Sequence, residues 1–158
     1  MSAPSRDDDR PLASYASIIV AYSGVLVAFA SYLRRTGRRP PERISAHDLA
    51  VVALATNKAS RLVSRDRITS PIRAPFTELE EEATGEVVER PVGAGWRRSV
   101  GELVTCPFCI SQWVATAFVF GLVVAPRATR VVGSVFAALT GADFLQLGYA
   151  LAEKQLST

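Results

Sequence analysis

Phe108–Ala125, FCISQWVATAFVFGLVVA, and Val131–Leu151, VVGSVFAALTGADFLQLGYAL, stand five residues apart near the end of the chain. The first is uncharged over 18 residues, and the second holds one charge, Asp143, in 21. As helices they would measure about 27 and 31 Å, close to the roughly 30 Å thickness of a bilayer's hydrocarbon core. Pro126–Arg130 is a tight link between them. The pair therefore predicts a transmembrane helical hairpin over residues 106–151.

A third block has the same character. Ala13–Leu33 carries no charge across 21 residues, with Tyr15 and Tyr32 placed to suit the membrane interface. A cleaved signal peptide ending at the small residues Ala28 and Ala30 is the rival reading. The residues before the block, Arg6 and Arg10 against Asp7, Asp8 and Asp9, lack the positive bias such a peptide needs.

Residues 46–65 fall short of a span. The uninterrupted apolar run is Leu49–Ala55, and Asp48, Asn57, Lys58 and Arg61 flank or interrupt the block. Leu49, Val52, Ala53, Thr56, Ala59, Ser60 and Val63 share one helical face, while Lys58, Arg61 and Arg65 share another. The expectation is an amphipathic or re-entrant helix, with a full crossing as the runner-up. The fold class is then all-α integral membrane: three transmembrane helices plus this fourth helix. The organisation is a polar tail (1–12), a span (13–33), a basic linker (34–45), the amphipathic helix (46–65), a cytoplasmic loop (66–105) and the hairpin (106–151).

Charge sets the expected topology. The net charge is +3, from 18 basic and 15 acidic residues, too little to argue for nucleic acid. Arg34, Arg35, Arg38, Arg39 and Arg43 follow the first span directly, which marks that end as cytoplasmic. With three spans, 14 basic residues lie inside and four outside (Arg6, Arg10, Arg127 and Arg130). A crossing at 46–65 would remove the bias. The expectation is a multi-pass protein of the bacterial cell membrane, N-terminus outside and C-terminus cytoplasmic.

The loop is polar and punctuated. Pro71 and Pro75 break any long helix. Phe76–Ala83 suggests an acidic helical turn or two, and Glu86–Arg90 a short extended piece. Gly93 and Gly95 make a joint, after which Ser99 is placed to cap a short helix to Thr105, with Glu102 at the capping-box position.

Three strings carry a resemblance: RLVSRDRITSPIRAPF (Arg61–Phe76), GELVTCPFCISQWVATAF (Gly101–Phe118) and SVFAALTGADFLQLGYA (Ser134–Ala150). In this order and spacing, over roughly residues 45–151, the chain resembles the bacterial membrane family called domain of unknown function thirteen-sixty. The resemblance implies a small bacterial integral membrane protein. Some family members carry a sporulation label, and no catalytic activity is established for them.

Cys106-Pro107-Phe108-Cys109 is the sharpest local feature. Pro107 suits the first position of a helix, with Cys106 as its cap. Both sulfurs would then lie near unpaired backbone N–H groups, a setting that favours thiolate. Arg97 and Arg98 would add to this if they fold back. No strand precedes the motif, so a thioredoxin fold is rejected, but a dithiol redox site on another fold stays open. Zinc is a second reading. It usually takes four ligands, and the chain offers two Cys and the single His47, so a site would have to be shared between subunits. The bland reading is that both Cys simply pack at a helix end.

Asp143, with Gln146 one turn away, is the other candidate. An intramembrane charge costs at least about 2.5–3.5 kcal/mol and should find a partner. Lys58 and Arg61 are the available cations if residues 46–63 enter the membrane. Gly133, Ala137 and Gly141 form a small-residue ridge suited to close helix packing, within the chain or in a homo-oligomer. Arg67 and Arg73 flank Ser70 and Pro71 as a possible surface for lipid or a protein partner. No Ser-His-Asp set or phosphate-binding glycine loop is present. The leading expectation is a non-enzymatic membrane protein acting through partners or lipid, without a required cofactor. The alternatives are a thiol or zinc site at Cys106 and Cys109, and a small transporter subunit using Asp143.

Overall fold

The computed structural model describes residues 12–82 and 86–156. The Arg6–Arg10 charge cluster lies outside them. Most of the described residues are helical. Three helices are long and apolar enough to cross a membrane: α1 (Leu12–Thr36), α5 (Pro107–Val124) and α6 (Pro126–Leu156). Gly37, at φ +66°, ends α1 in the left-handed conformation that glycine adopts without strain. Pro107 and Pro126 start the other two, where a missing N–H removes nothing the helix needs.

The contacts between helices fix their directions. Along α1, Tyr15 bonds Glu102, Tyr22 meets Trp113 and Thr116, and Phe29 stacks on Phe120 at 3.6 Å between ring centroids. Just beyond, Arg38 donates to the Val124 carbonyl at 2.8 Å. Both partners advance together, so α1 and α5 run parallel. Helix α6 returns antiparallel to α5. Its closest approach is at Gly121, where an added Cβ would lie 2.6 Å from the Thr129 hydroxyl.

Helix α2 (Ala46–Arg65) begins at Ser45, whose hydroxyl accepts the Asp48 N–H at 3.0 Å. It packs against both α5 and α6 and runs parallel to α6. Its buried face is Asp48, Val52, Ala55, Ala59, Ser60 and Ser64. This differs from the expected face: Leu49 is half exposed and Ala53 exposed. The reason is polar. Asp48 and Lys58 turn toward partners on α6, and the helix rotates with them.

The segment between α2 and α5 folds as a small α/β unit. A 3-10 turn (Arg67–Thr69), in which the Asp66 carboxylate accepts the Ile68 N–H, leads into α3 (Ser70–Arg73). Strands β1 (Thr77–Glu82) and β2 (Val87–Pro91) pair antiparallel, with a bulge between Leu79 and Glu81. Helix α4 (Trp96–Thr105) then packs over β2, so closely that a Cβ on Gly101 would lie 3.0 Å from Pro91 of β2 and 2.6 Å from the carbonyl oxygen of Phe76, just before β1. Two expectations are corrected here. The fold is not all-α, because the acidic stretch Thr77–Glu82 is a strand. Helix α4 starts from Gly95, so Ser99 is buried inside it with its hydroxyl unpaired and caps nothing.

Arg73 explains the strand. Its guanidinium is 1% exposed and grips Glu89 of β2 through two hydrogen bonds, 3.0 and 2.9 Å. It also donates to the carbonyls of Val63 and Asp66 and to the Thr69 hydroxyl. Ser70 and Thr77 donate to the same carboxylate at 2.5 and 2.6 Å. A carboxylate held by Arg73 on one side and Thr77 on the other draws β2 against β1. The expected role of Arg73 at a lipid or partner surface is therefore wrong: it is a buried structural cation. Arg67 does remain exposed.

Burial raises the Glu89 pKa, but the hydrogen bonds from Arg73, Ser70 and Thr77, with the Arg73 charge, outweigh it and hold the carboxyl below its ordinary 4.5. A depressed carboxylate stabilises the fold above its unfolded value. That contribution is lost as pH falls from about 4.5 through the folded pKa. Limited proteolysis of the 66–105 unit should thus accelerate in acid. Arg73→Met should destabilise the unit by about 3–5 kcal/mol by stranding a buried charge, and Arg73→Met/Glu89→Leu should recover part of it. Unchanged protease resistance in Arg73→Met would refute this account.

Candidate functional site

The α2–α6 seam brings together polar side chains of the two helices. At one end Arg130 forks onto Asp48, 2.8 and 2.9 Å. One turn further, Gly133 lets α6 approach Val51, to which an added Cβ would lie 3.2 Å away. Thr140 donates to the Leu54 carbonyl at 2.8 Å. Lys58 then reaches both carboxylate oxygens of Asp143, 3.0 and 2.7 Å. Of the two cations available to Asp143, Lys58 takes it. Arg61 instead meets Glu86 at the entrance to β2.

Below Thr140 a gap lies between the two helices. A groove of about 770 Å³ opens, lined by Asn57, Lys58, Arg61, Arg65, Asp143 and Gln146, among others. Asp66 and Glu86 close its polar end, while Leu62, Phe144 and Leu147 supply an apolar wall. Phe144 and Leu147 are 66% and 57% exposed, so that wall continues onto the outer surface of α6. Lys58, Arg61 and Arg65 follow the helical spacing expected from sequence and face the groove together. The carboxylates there are engaged: Asp143 with Lys58, Glu86 with Arg61, and Asp66 with the Ile68 N–H. Arg65 has no ion pair among the described residues.

The small-residue ridge on α6 divides. Gly133 is buried against Val51 and Phe118, whereas Gly141 meets nothing within 4 Å. Sequence reading placed Asp143 near the middle of its span. The ring contact between Phe118 and Phe136 registers α5 against α6. By helix rise, Asp143 lies about 10 Å beyond Phe136 and Pro107 about 16 Å beyond Phe118, so Asp143, midway along the 31-residue α6, lies about 6 Å short of the level of Pro107.

The second candidate lies at the start of α5. Cys106 caps the helix, its sulfur accepting the Cys109 N–H at 3.3 Å, and Pro107 takes the first helical position. The two sulfurs are 2.6 Å apart and both thiols are free. Arg97 and Arg98 do not turn to them: Arg97 donates to the Pro75 carbonyl and Arg98 pairs with Glu102. His47 is in the first turn of α2, at the opposite end of the helices. Among the described residues no three His, Cys, Asp or Glu side chains converge.

Breaking the Lys58–Asp143 pair from either side should be worse than removing both members. Lys58→Met and Asp143→Leu should each lower the melting temperature in detergent, and the double variant should recover about 1 kcal/mol of coupling. Strictly additive losses would mean that the pair does not hold the seam.

Comparison with known proteins adds a family. The description "Protein of unknown function (DUF1360)" matches residues 51–149. Sporulation protein YjcA of Bacillus subtilis (strain 168) is 32% identical over 91 residues, covering 55% of this chain and 77% of the relative. No solved structure matches the chain. The matched region contains most of α2, the α/β unit and the body of the α5–α6 hairpin, and the chain belongs to the DUF1360 family.

Proposed function

We propose that this is a non-enzymatic protein with four membrane crossings, and that it binds an anionic lipid headgroup in the groove between α2 and α6. The groove is the observation that carries the reading. Three basic residues on one wall, one without a counter-charge, stand opposite an apolar wall that continues onto the lipid-facing surface of α6. The polar end is closed by Asp66 and Glu86 of the α/β unit, which puts it at the membrane surface, where headgroups lie. A phosphate would meet Arg65 first, and acyl chains would run along Phe144 and Leu147. Arg65, the basic residue of the groove without an ion pair among the described residues, contributes about 1 kcal/mol toward an anionic surface.

The fourth crossing follows from direction. If α1 and α5 both cross, their parallel alignment requires the chain to return between them. Helix α2 is the segment that lies along the bundle and does so. Its 20 residues extend about 30 Å. Two of its charges, Asp48 and Lys58, are matched by Arg130 and Asp143 of α6, which lowers the penalty that its composition alone implies. The basic residues then divide between the two ends, so helix geometry carries this reading and charge bias does not. The start of α1, the end of α6 and the α/β unit then share one side, in place of the opposed ends expected from three spans. The relative's name, a sporulation protein, denotes a process and is compatible with a binding role. A transporter role for Asp143 finds less support, because its carboxylate is occupied by Lys58.

Two measurements test the reading. In a Cys106→Ala/Cys109→Ala background, single cysteines at Arg39, Glu78 and Glu153 are probed in spheroplasts with an impermeant maleimide. The expected result is that Glu78 and Glu153 report one side and Arg39 the other. Arg39 and Glu78 on the same side would restore three spans. For the groove, protein from nanodiscs of phosphatidylcholine and phosphatidylglycerol is examined by native mass spectrometry. Phosphatidylglycerol should be retained preferentially, and Arg65→Gln should weaken retention about fivefold. Equal retention of both lipids, or no effect of Arg65→Gln, would exclude headgroup binding there.

A further inference from the structure

We propose that Cys106 and Cys109 form a thiol–disulfide exchange site at the membrane surface, its substrate being an external disulfide, small-molecule or protein. The inference is independent of the lipid groove, which lies on another face.

Position comes first. Cys106 is the cap and Cys109 the third residue of α5, which puts both side chains on one turn. Residues three apart on a helix have Cβ atoms about 5–6 Å apart, and the helix start, where the cap backbone is extended rather than helical, draws the two sulfurs closer still. The Cys109 thiol donates to the Cys106 sulfur, so the two sulfurs are already in contact within one turn of chain. Pro107 fixes the turn that holds them. Access comes second. Cys109 is exposed and the neighbouring Phe108 is 87% exposed, while Cys106 is partly covered. One thiol is open to an incoming disulfide, and the other waits behind it. The setting is polar, because Glu102 on the preceding turn bonds Tyr15 and pairs with Arg98.

Metal is the competing use of two such thiols. Within one chain a zinc ion would find these two sulfurs and no third His, Cys, Asp or Glu among the described residues. Tetrahedral zinc wants four ligands, whereas a disulfide needs only the pair.

The exchange proceeds in two displacements. The Cys109 thiolate attacks one sulfur of the external disulfide, RSSR. The S–S bond of RSSR breaks, a mixed disulfide forms on Cys109, and the first RS⁻ leaves and takes up a proton. Cys106, as thiolate, then attacks the Cys109 sulfur of the mixed disulfide. The Cys106–Cys109 bond forms, and the second RS⁻ leaves and is protonated. Two thiols and RSSR become one intrachain disulfide and two RSH. The protein loses two electrons and two protons, and RSSR gains them. The reverse direction reduces the site.

The test uses the full chain in detergent, equilibrated across ratios of reduced to oxidised glutathione and then alkylated with a mass-tagged maleimide. The expected result is one transition between a species with two tags and a monomer with none. Cys106→Ser should trap a glutathione adduct on Cys109 that wild type resolves, and gel filtration confirms that the variant is folded. Three outcomes would overturn the proposal: two free thiols at every ratio, a disulfide-linked dimer in place of the monomer, or thiols shielded by zinc at about one ion per two chains.

Discussion

The structure depends on a desolvation constraint: every charge on α2 that lies among the apolar helices must be met from α6. An unpaired ion in hydrocarbon is expensive, and a helix with Asp48 near its start and Lys58 midway could not stay there alone. Helix α6 supplies the complement at matching heights, Arg130 for Asp48 and Asp143 for Lys58. Because the helices run parallel, both pairs form at once only in one register. Between them, Gly133 removes the side chain that would hold Val51 away, and Thr140 spends its hydroxyl on the Leu54 carbonyl. Electrostatics sets the register and small residues permit the close contact it requires.

The α/β unit follows the same logic in a smaller volume. Arg73 is surrounded by acceptors from three neighbouring segments: the end of α2, the 3-10 turn and β2. One side chain thus ties the end of α2 to the hairpin. Glu86, at the entrance to β2, returns to α2 through Arg61 and closes the polar end of the groove. The groove is consequently shaped by the α/β unit as much as by the two long helices.

How much was legible in the sequence depended on whether a segment's structure came from its own residues. The three apolar helices were, because hydropathy and length are local properties. So was the Cys106 cap, since Pro107 declares the helix start. The face of α2 was misplaced because apolar periodicity ranks Leu49 above Asp48, and nothing local says that Asp48 has Arg130 to meet 82 positions later. The strand at Thr77–Glu82 was missed for a related reason. Four acidic residues in six suggest a solvated helical turn, and the force that extends them is a carboxylate on the opposite strand. Arg73 looked like a surface cation until its acceptors were brought around it. The groove was legible only in part: Lys58, Arg61 and Arg65 announce a common face, but the opening is made by the gap between α2 and α6.

The same distinction bears on how a membrane helix is recognised. A hydropathy threshold scores each segment as though it faced lipid on all sides, and by that measure α2 does not qualify while α1, α5 and α6 do. A helix packed against two neighbours meets lipid over only part of its circumference. Its buried polar groups answer to those neighbours, and the energetic question becomes whether each is paired. By that measure most of α2 is satisfied: Ser60 and Ser64 bond backbone carbonyls within the helix, Asp48 and Lys58 have counter-charges along the seam, and the Thr56 hydroxyl is the exception, buried without a partner. If α1 and α5 both cross, their parallel alignment makes a return through α2 the path proposed for the chain between them. Composition argued for a helix lying on the surface, and the direction of its neighbours argues for one passing through.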